Sequence, residues 1–246
     1  MRIFLAGVAG FLNNYLSDVD LEKEQLYLLE SFFYAKKMDP SVIQKSKMFL
    51  LDSGAFTFMQ SSKKAVDWEK YLDEYIDFVK RNNVQYFFEL DIDSITGYDY
   101  VKQLRNRLEK ETGRKCIPVF HKSRGLKEWE KMCQEYDFVA IGTIGDYDGR
   151  PDVLMCLLEI AKRHGTKVHG LGFTRLGLLP KMPFYSVDST SWCCGNRFGF
   201  VDKFNGTSIE KIAKPANTRF ANAKIVVRHN FGEWVKFQKY MDLKFR

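Results

Sequence analysis

Three aspartates stand where short apolar runs give out: Asp52 in Leu51-Asp52-Ser53-Gly54, Asp91 in Phe88-Glu89-Leu90-Asp91, and Asp188 in Ser186-Val187-Asp188-Ser189. Two carboxylates facing each other across a pocket can divide a displacement at a sugar carbon. One attacks or stabilises the cationic centre, and the other carries a proton to the leaving group. Asp52 and Asp188 are the best-placed pair, because small residues follow each and leave room for a ligand. Asp91 is then available to accept hydrogen bonds from the N–H groups of a purine. Gly142, Gly170 and Gly172 let backbone approach a flat ring, and His121 and His169 close apolar runs of their own. A lone Asp in such a place is ordinarily a helix cap or turn former, but three of them at equivalent places weaken that explanation.

Something must bring these residues to one place. Strand-like apolar runs fall at Ile3–Val8, Met48–Leu51, Val84–Leu90, Cys116–Phe120, Phe138–Ile141, Lys167–Leu171 and Phe184–Val187, with helix-period stretches between them. Leu21, Gln25, Leu28, Leu29, Phe32 and Phe33 make one helical face, and Trp68, Tyr71, Leu72, Tyr75, Ile76 and Val79 a second. Val101, Leu104 and Leu108 mark a third, Leu126, Trp129 and Met132 a fourth, and Val153, Leu157, Ile160 and Ala161 a fifth. Such stripes pack cores. Alternating βα units with near-continuous apolar strands predict an α/β fold with a buried parallel sheet: a (β/α)8 TIM-type barrel over residues 1–202, with a doubly wound open sheet as the alternative. In a barrel, the residues that close the strands share one rim.

Other chemistries lose support. No GxGxxG follows the first run, there is no GxxxxGK[ST], and zincin spacings are missing. The five cysteines (116, 133, 156, 193 and 194) lack CxxC spacing, so no metal site, no cofactor and a reduced, cytoplasmic setting are expected. The N-terminal apolar run has too small a basic region for a secretory signal, and no run is long enough to span a membrane. The net charge is +7, and residues 203–246 carry 10 basic against 3 acidic side chains, which accounts for the whole excess. A single barrel domain with a basic C-terminal extension, 203–246, packed on it is expected, and such an extension favours a polyanionic partner.

The motifs carry a resemblance. Leu51-Asp52-Ser53-Gly54-Ala55-Phe56 resembles the Asp-Ser-Gly-Gly-Phe-Gln signature of the tRNA-guanine transglycosylases, whose fold is a barrel. The resemblance makes Asp52 the general acid/base and places Ser53 and Phe56 beside the base. Phe87-Phe88-Glu89-Leu90-Asp91 looks like the strand bearing that family's base-binding aspartate, with Asp93 as the fallback for Asp91. Ala140-Ile141-Gly142-Thr143-Ile144-Gly145 is similar to the segment that meets the base through its backbone, and His169-Gly170-Leu171-Gly172 resembles the Met-Gly-Val-Gly strand flanking the pocket. Tyr185–Trp192 occupies the chain position of the segment with the nucleophile, which makes Asp188 the residue that attacks C1′ and holds a covalent glycosyl intermediate.

Two departures shape the expected substrate. The family's Gln-Gly-Gly appears here as Phe120-His121-Lys122, so His121 joins the base-binding set, and the zinc-binding Cys-x-Cys-x-x-Cys is absent. Compact zinc-less relatives include phage and bacterial enzymes that insert 7-deazaguanine derivatives into DNA, and the chain looks most like that branch. Guanine or a 7-deazaguanine and DNA, ahead of tRNA, are the expected partners, with a homodimer or partner subunit allowed. Arg197, Lys211, Lys214, Arg219, Lys224 and Arg228, interleaved with Phe204 and Phe220, are the expected nucleic-acid contacts. Phe231, Trp234, Phe237 and Met241 predict one apolar helix face beyond them. A nucleoside or nucleotide hydrolase and a non-catalytic modified-base binder are the alternatives.

Overall fold

A computed structural model of the chain describes residues 1–12, 15–17, 19–54, 66–142, 147, 150–173 and 175–245. Eight parallel strands form the frame: β1 (Arg2–Ala6), β2 (Tyr27–Ser31), β3 (Met48–Asp52), β4 (Tyr86–Phe87), β5 (Val119–Phe120), β6 (Phe138–Ile141), β7 (Lys167–Gly170) and β8 (Ser186–Ser189). They pair in the order β4-β3-β2-β1-β8-β7-β6-β5. A parallel bridge between Phe88 and Ile117 joins the two ends. Ile117 N–H donates to the Phe87 carbonyl at 2.8 Å and Glu89 N–H to the Ile117 carbonyl at 3.1 Å, so the ring closes. The chain is a (β/α)8 TIM-type barrel.

Strand alternation fills two layers. Phe4, Ala6, Leu29, Leu50, Phe88, Val119 and Ala140 pack the interior of the ring. Ile3, Leu5, Leu28, Leu51, Val139, Ile141 and Val168 face the helices outside. Those helices include α1 (Trp68–Arg81), α2 (Tyr98–Thr112), α3 (Gly125–Glu135) and α4 (Pro151–His164). The Asp67 carboxylate caps α1 by accepting from Lys70 N–H, and Gly113 and Gly165 end α2 and α4 in the left-handed conformation. The apolar stripes expected on α1 and α2 are buried, whereas Leu126 at the start of α3 is 53% exposed and Val153 of α4 is only half-buried.

One element differs in kind. The stripe from Leu21 to Phe33 predicts a helix, but the helix is a single turn, Leu21–Glu24, stopped at Gln25 with φ of 53°, and β2 follows. Leu28 faces the helices and Leu29 the barrel interior, so this run satisfies the strand period as well as the helical one. Other differences lie at the edges. The long runs expected at 84–90 and 116–120 shorten to Tyr86–Phe87 and Val119–Phe120, and the last strand lies two residues later than expected, at Ser186–Ser189.

After β8 the chain forms an antiparallel hairpin, β9 (Phe200–Phe204) with β10 (Ile209–Ala213), which crosses residues 202–203, and ends in α5 (Ala223–Lys244). The face expected of α5 is buried: Phe231, Trp234, Phe237 and Met241 are each at most 4% exposed. In its first half helix α5 packs on the segment after β8, where Phe231 meets Trp192 at 5.3 Å between ring centroids. It ends where the Met1 amine donates to the Phe245 carbonyl at 2.6 Å. Midway, Gln238 donates to the carbonyls of Ile3 at 2.7 Å and Tyr27 at 3.0 Å. Phe204 rests on Phe237 and Tyr240, which corrects its expected place among outward stacking rings. Among the described residues no helix is long and apolar enough to cross a membrane.

Candidate active site

Asp188 lies opposite Phe4 in register, and its carboxylate points into the ring at the C-terminal rim. Its Oδ1 accepts the Gly172 N–H at 2.7 Å and faces His169 Nε2 at 3.2 Å. His169 Nδ1 lies 2.8 Å from the Ser186 hydroxyl. The imidazole is fully buried, with the Phe4 and Phe88 rings 5.8 and 5.5 Å away. The expected base contact at His169 is therefore corrected: strand alternation puts its ring inside the barrel beneath Asp188, out of reach of a ligand at the rim. Gly172 takes φ of +66°, a conformation open to glycine, and its amide serves Asp188. At Gly170 a Cβ would come 3.0 Å from the Phe184 ring, so the close approach it permits is to a core aromatic.

Asp52 ends β3 and is half-buried. Gly54 N–H donates to its Oδ2 at 3.0 Å. Burial pushes its pKa up to about 6, with the Gly54 hydrogen bond opposing and the charges of Asp91 and Asp188 adding to the rise. Three carboxylates therefore share one space. Helix α1 braces this strand end: the Tyr71 hydroxyl donates to the Ser53 carbonyl at 2.5 Å, and the Tyr75 hydroxyl reaches the carbonyls of Leu51 and Phe88 at 3.1 and 3.0 Å. Ser53 itself is fully buried. Phe56 lies outside the described residues, as do Thr143, Ile144 and Gly145.

After β4, the strand next to β3, Asp91 Oδ1 lies 2.6 Å from His121 Nε2. Burial lowers the His121 imidazole, but the hydrogen bond and charge of Asp91, helped by Asp93, override it and raise it above its ordinary value. Gly142 supplies the room, since a Cβ there would sit 2.6 Å from His121 Cε1. Arg124 holds the cluster together, with Nε 3.0 Å from Asp93, Nη2 3.7 Å from Asp91 and Nη1 3.1 Å from Glu89. Asp91, Asp93 and His121 bring ligand atoms within 4.8 Å of one another, a set able to hold a divalent ion. The Arg124 guanidinium already supplies positive charge to the same carboxylates, so an incoming cation competes with it.

Two buried carboxylates complete the surroundings of the rim: Glu89, already part of the strand-end motif that carries Asp91, and Glu30, which the sequence motifs do not single out. Glu89 is fully buried between Arg124 and Arg105, whose Nε lies 2.9 Å from Oε2, and also accepts Val119 N–H at 2.8 Å. Glu30 is 1% exposed and accepts the N–H groups of Ala9 at 2.7 Å and Ser31 at 2.9 Å. Burial outweighs those hydrogen bonds and pushes its pKa up to about 7. Its signal was present: Glu30 is the sole charged residue between Leu26 and Phe33.

The expected nucleic-acid contacts lie on several elements after β8. Arg197 lies on the short helix Gly195–Phe198 that follows β8, and Lys224 and Arg228 are one turn apart at the start of α5. These three, Lys211 and Arg219 are exposed, while Lys214 is half-buried and donates to the Thr218 carbonyl.

No family model and no curated protein matches the chain. Among solved structures it is similar to the carboxyl transferase domain of Rhizobium etli pyruvate carboxylase with 3-bromopyruvate, at TM-score 0.47 and 9% identity over 97% of this chain and 48% of that one. It is also similar to a GH113 β-1,4-mannanase, at TM-score 0.40 and 14% identity over 68% of this chain and 70% of that one. The chain thus spans about half of the carboxyl transferase chain. At these identities the likeness is one of barrel architecture alone.

Proposed function

We propose that this barrel is a base-exchange transglycosylase that replaces guanine in DNA with a 7-deazaguanine derivative. One observation carries the reading: Asp52 at the end of β3 shares the rim with Asp188 of β8 and with Asp91, and burial pushes the Asp52 carboxyl up to about 6. A proton carrier and a nucleophile of the same chemical type need different surroundings, and these differ.

In the first half-reaction an Asp188 carboxylate oxygen bonds to C1′ as the C1′–N9 bond breaks. The N9 electron pair stays with guanine, which takes the Asp52 proton. In the second, the incoming base gives its ring N–H proton back to Asp52, attacks C1′ and releases the Asp188 carboxylate. Two displacements retain the sugar configuration. Both described contacts of Asp91 fall on Oδ1, from His121 and Arg124, which leaves Oδ2 to accept base N–H groups. The target guanine must leave the helix stack, at a cost of about a few kcal/mol, and contacts of Arg197, Lys224 and Arg228 with phosphates offset part of it.

The test is incubation with radiolabelled guanine and either DNA or tRNA. Label entering DNA supports the proposal, and label entering tRNA alone moves the substrate to RNA. Free sugar makes the protein a hydrolase, and binding without turnover makes it a binder. Asp188→Asn should form no covalent adduct with nucleic acid; an adduct trapped by that variant would remove Asp188 as nucleophile.

A further inference from the structure

We propose that His169 is a positioning residue which assigns the two oxygens of Asp188 different tasks: Oδ1 is held and Oδ2 reacts. The inference rests on the reading of Asp188 as the nucleophile.

Ser186 and Asp188 alternate on the inner side of β8, and His169 is the register partner of Ser186 on β7. The hydroxyl, the imidazole and Oδ1 therefore form a line, with spacings of 2.8 and 3.2 Å. Ser186 and His169 are both fully buried, which leaves their polar atoms to satisfy one another. An ionised carboxylate only accepts, so Nε2 must carry the ring proton. In the neutral ring Nδ1 then accepts from the Ser186 hydroxyl, which fixes the tautomer. Gly172 N–H reaches the same Oδ1 at 2.7 Å from the loop after β7. Two donors of different origin meet on one oxygen of a side chain that is 11% exposed. Rotation of the carboxylate would break both bonds, so the plane and the free oxygen are set before a sugar arrives.

Two buried amides separate this role from simple packing. His169→Gln places a donor near the position of Nε2 and keeps the bond to Asp188. His169→Asn reaches only the position of Nδ1 and loses it. We expect kcat for base exchange to fall on the order of ten- to a hundredfold in His169→Asn with KM unchanged, and by no more than about threefold in His169→Gln. Equal losses in the two variants would overturn the inference. A second measurement stands apart from turnover: in protein labelled with 15N-histidine, the His169 ring should be the Nε2–H tautomer, and Asp188→Asn should shift its resonances. An Nδ1–H tautomer, or resonances blind to Asp188→Asn, would overturn the inference even if either variant unfolds. Wild-type protein without exchange but with the Nε2–H tautomer would sink the base-exchange reading and leave the hydrogen-bond chain standing.

Discussion

Glu30 makes the stability of this barrel depend on pH in a direction opposite to that of most carboxylates. An ordinary Glu titrates near 4.5, whereas burial pushes Glu30 up to about 7. Between those values the folded chain binds a proton that the unfolded chain has released, so stability is highest at low pH and falls as pH rises through the folded value. The gap of about 2.5 pKa units corresponds to about 3 kcal/mol in full, at about 1.4 kcal/mol per unit. Integrated from pH 5 to 8 the loss is about 2–3 kcal/mol, or roughly 5–10 °C in Tm for a chain of this size. Glu30→Gln removes the titration. It also sets an amide N–H2 against one of the two backbone donors, Ala9 and Ser31, and so starts from a lower stability by about 1–3 kcal/mol. Urea unfolding of both proteins across pH 5–8 gives the answer as a difference of slopes, in which contributions shared by both cancel. Parallel pH dependences would refute the reasoning, because they would mean that Glu30 is ionised in the folded protein at all these pH values.

Glu89→Gln leaves the Arg105 and Arg124 guanidiniums without their shared buried carboxylate, and should cost about 3–5 kcal/mol in urea unfolding; a cost under about 1 kcal/mol would show that the pair is not desolvated. Asp91→Asn removes the influence that raises His121, so the imidazole should titrate at a lower pH than in the wild type, which NMR of the ring reads directly. Lys224→Glu with Arg228→Glu should reduce the slope of log affinity for DNA against log salt by about 2, if each side chain neutralises one phosphate. Deletion of residues 231–246 is a poor substitute, since Phe231, Trp234, Phe237 and Met241 are buried and their loss would unfold the chain.

The parts of the barrel legible in sequence are those where one period dominates. The stripes of α1, α2 and α5 have only the helical spacing, and they form the faces expected of them. The run Tyr27-Leu28-Leu29-Glu30-Ser31 is apolar at neighbouring positions, so it fits the helical spacing, which predicts a helix there, and the strand period alike. Ring closure decided it, because β2 fills the gap between β1 and β3. The same ambiguity hid Glu30, whose two backbone donors exist only once residue 30 is at a strand end. For the rim aspartates, residue type and strand-end position were enough to bring them together. The histidines were harder, because His121 and His169 both close apolar runs. His121 reaches Asp91 at the rim, while His169 is enclosed between Phe4 and Phe88. That difference comes from neighbouring strands and has no local signature.

The same neighbours explain how one rim gives two aspartates different work. Asp188 receives donors from two places on one oxygen, the Gly172 amide and the His169 ring, and these orient it. Asp52 accepts the Gly54 N–H, is partly buried and stands near two other carboxylates, and burial with those charges pushes its carboxyl up to about 6. A carboxyl that gains and loses its proton near neutral pH suits transfer in both directions, and a carboxylate with one oxygen fixed suits attack along one line. The first property is set by groups outside the reacting pair, Gly172 and His169; the second comes chiefly from burial, with the charges of Asp91 and Asp188 adding to it. Changes to Gly172 or His169 should therefore alter turnover while every proposed catalytic side chain remains in place.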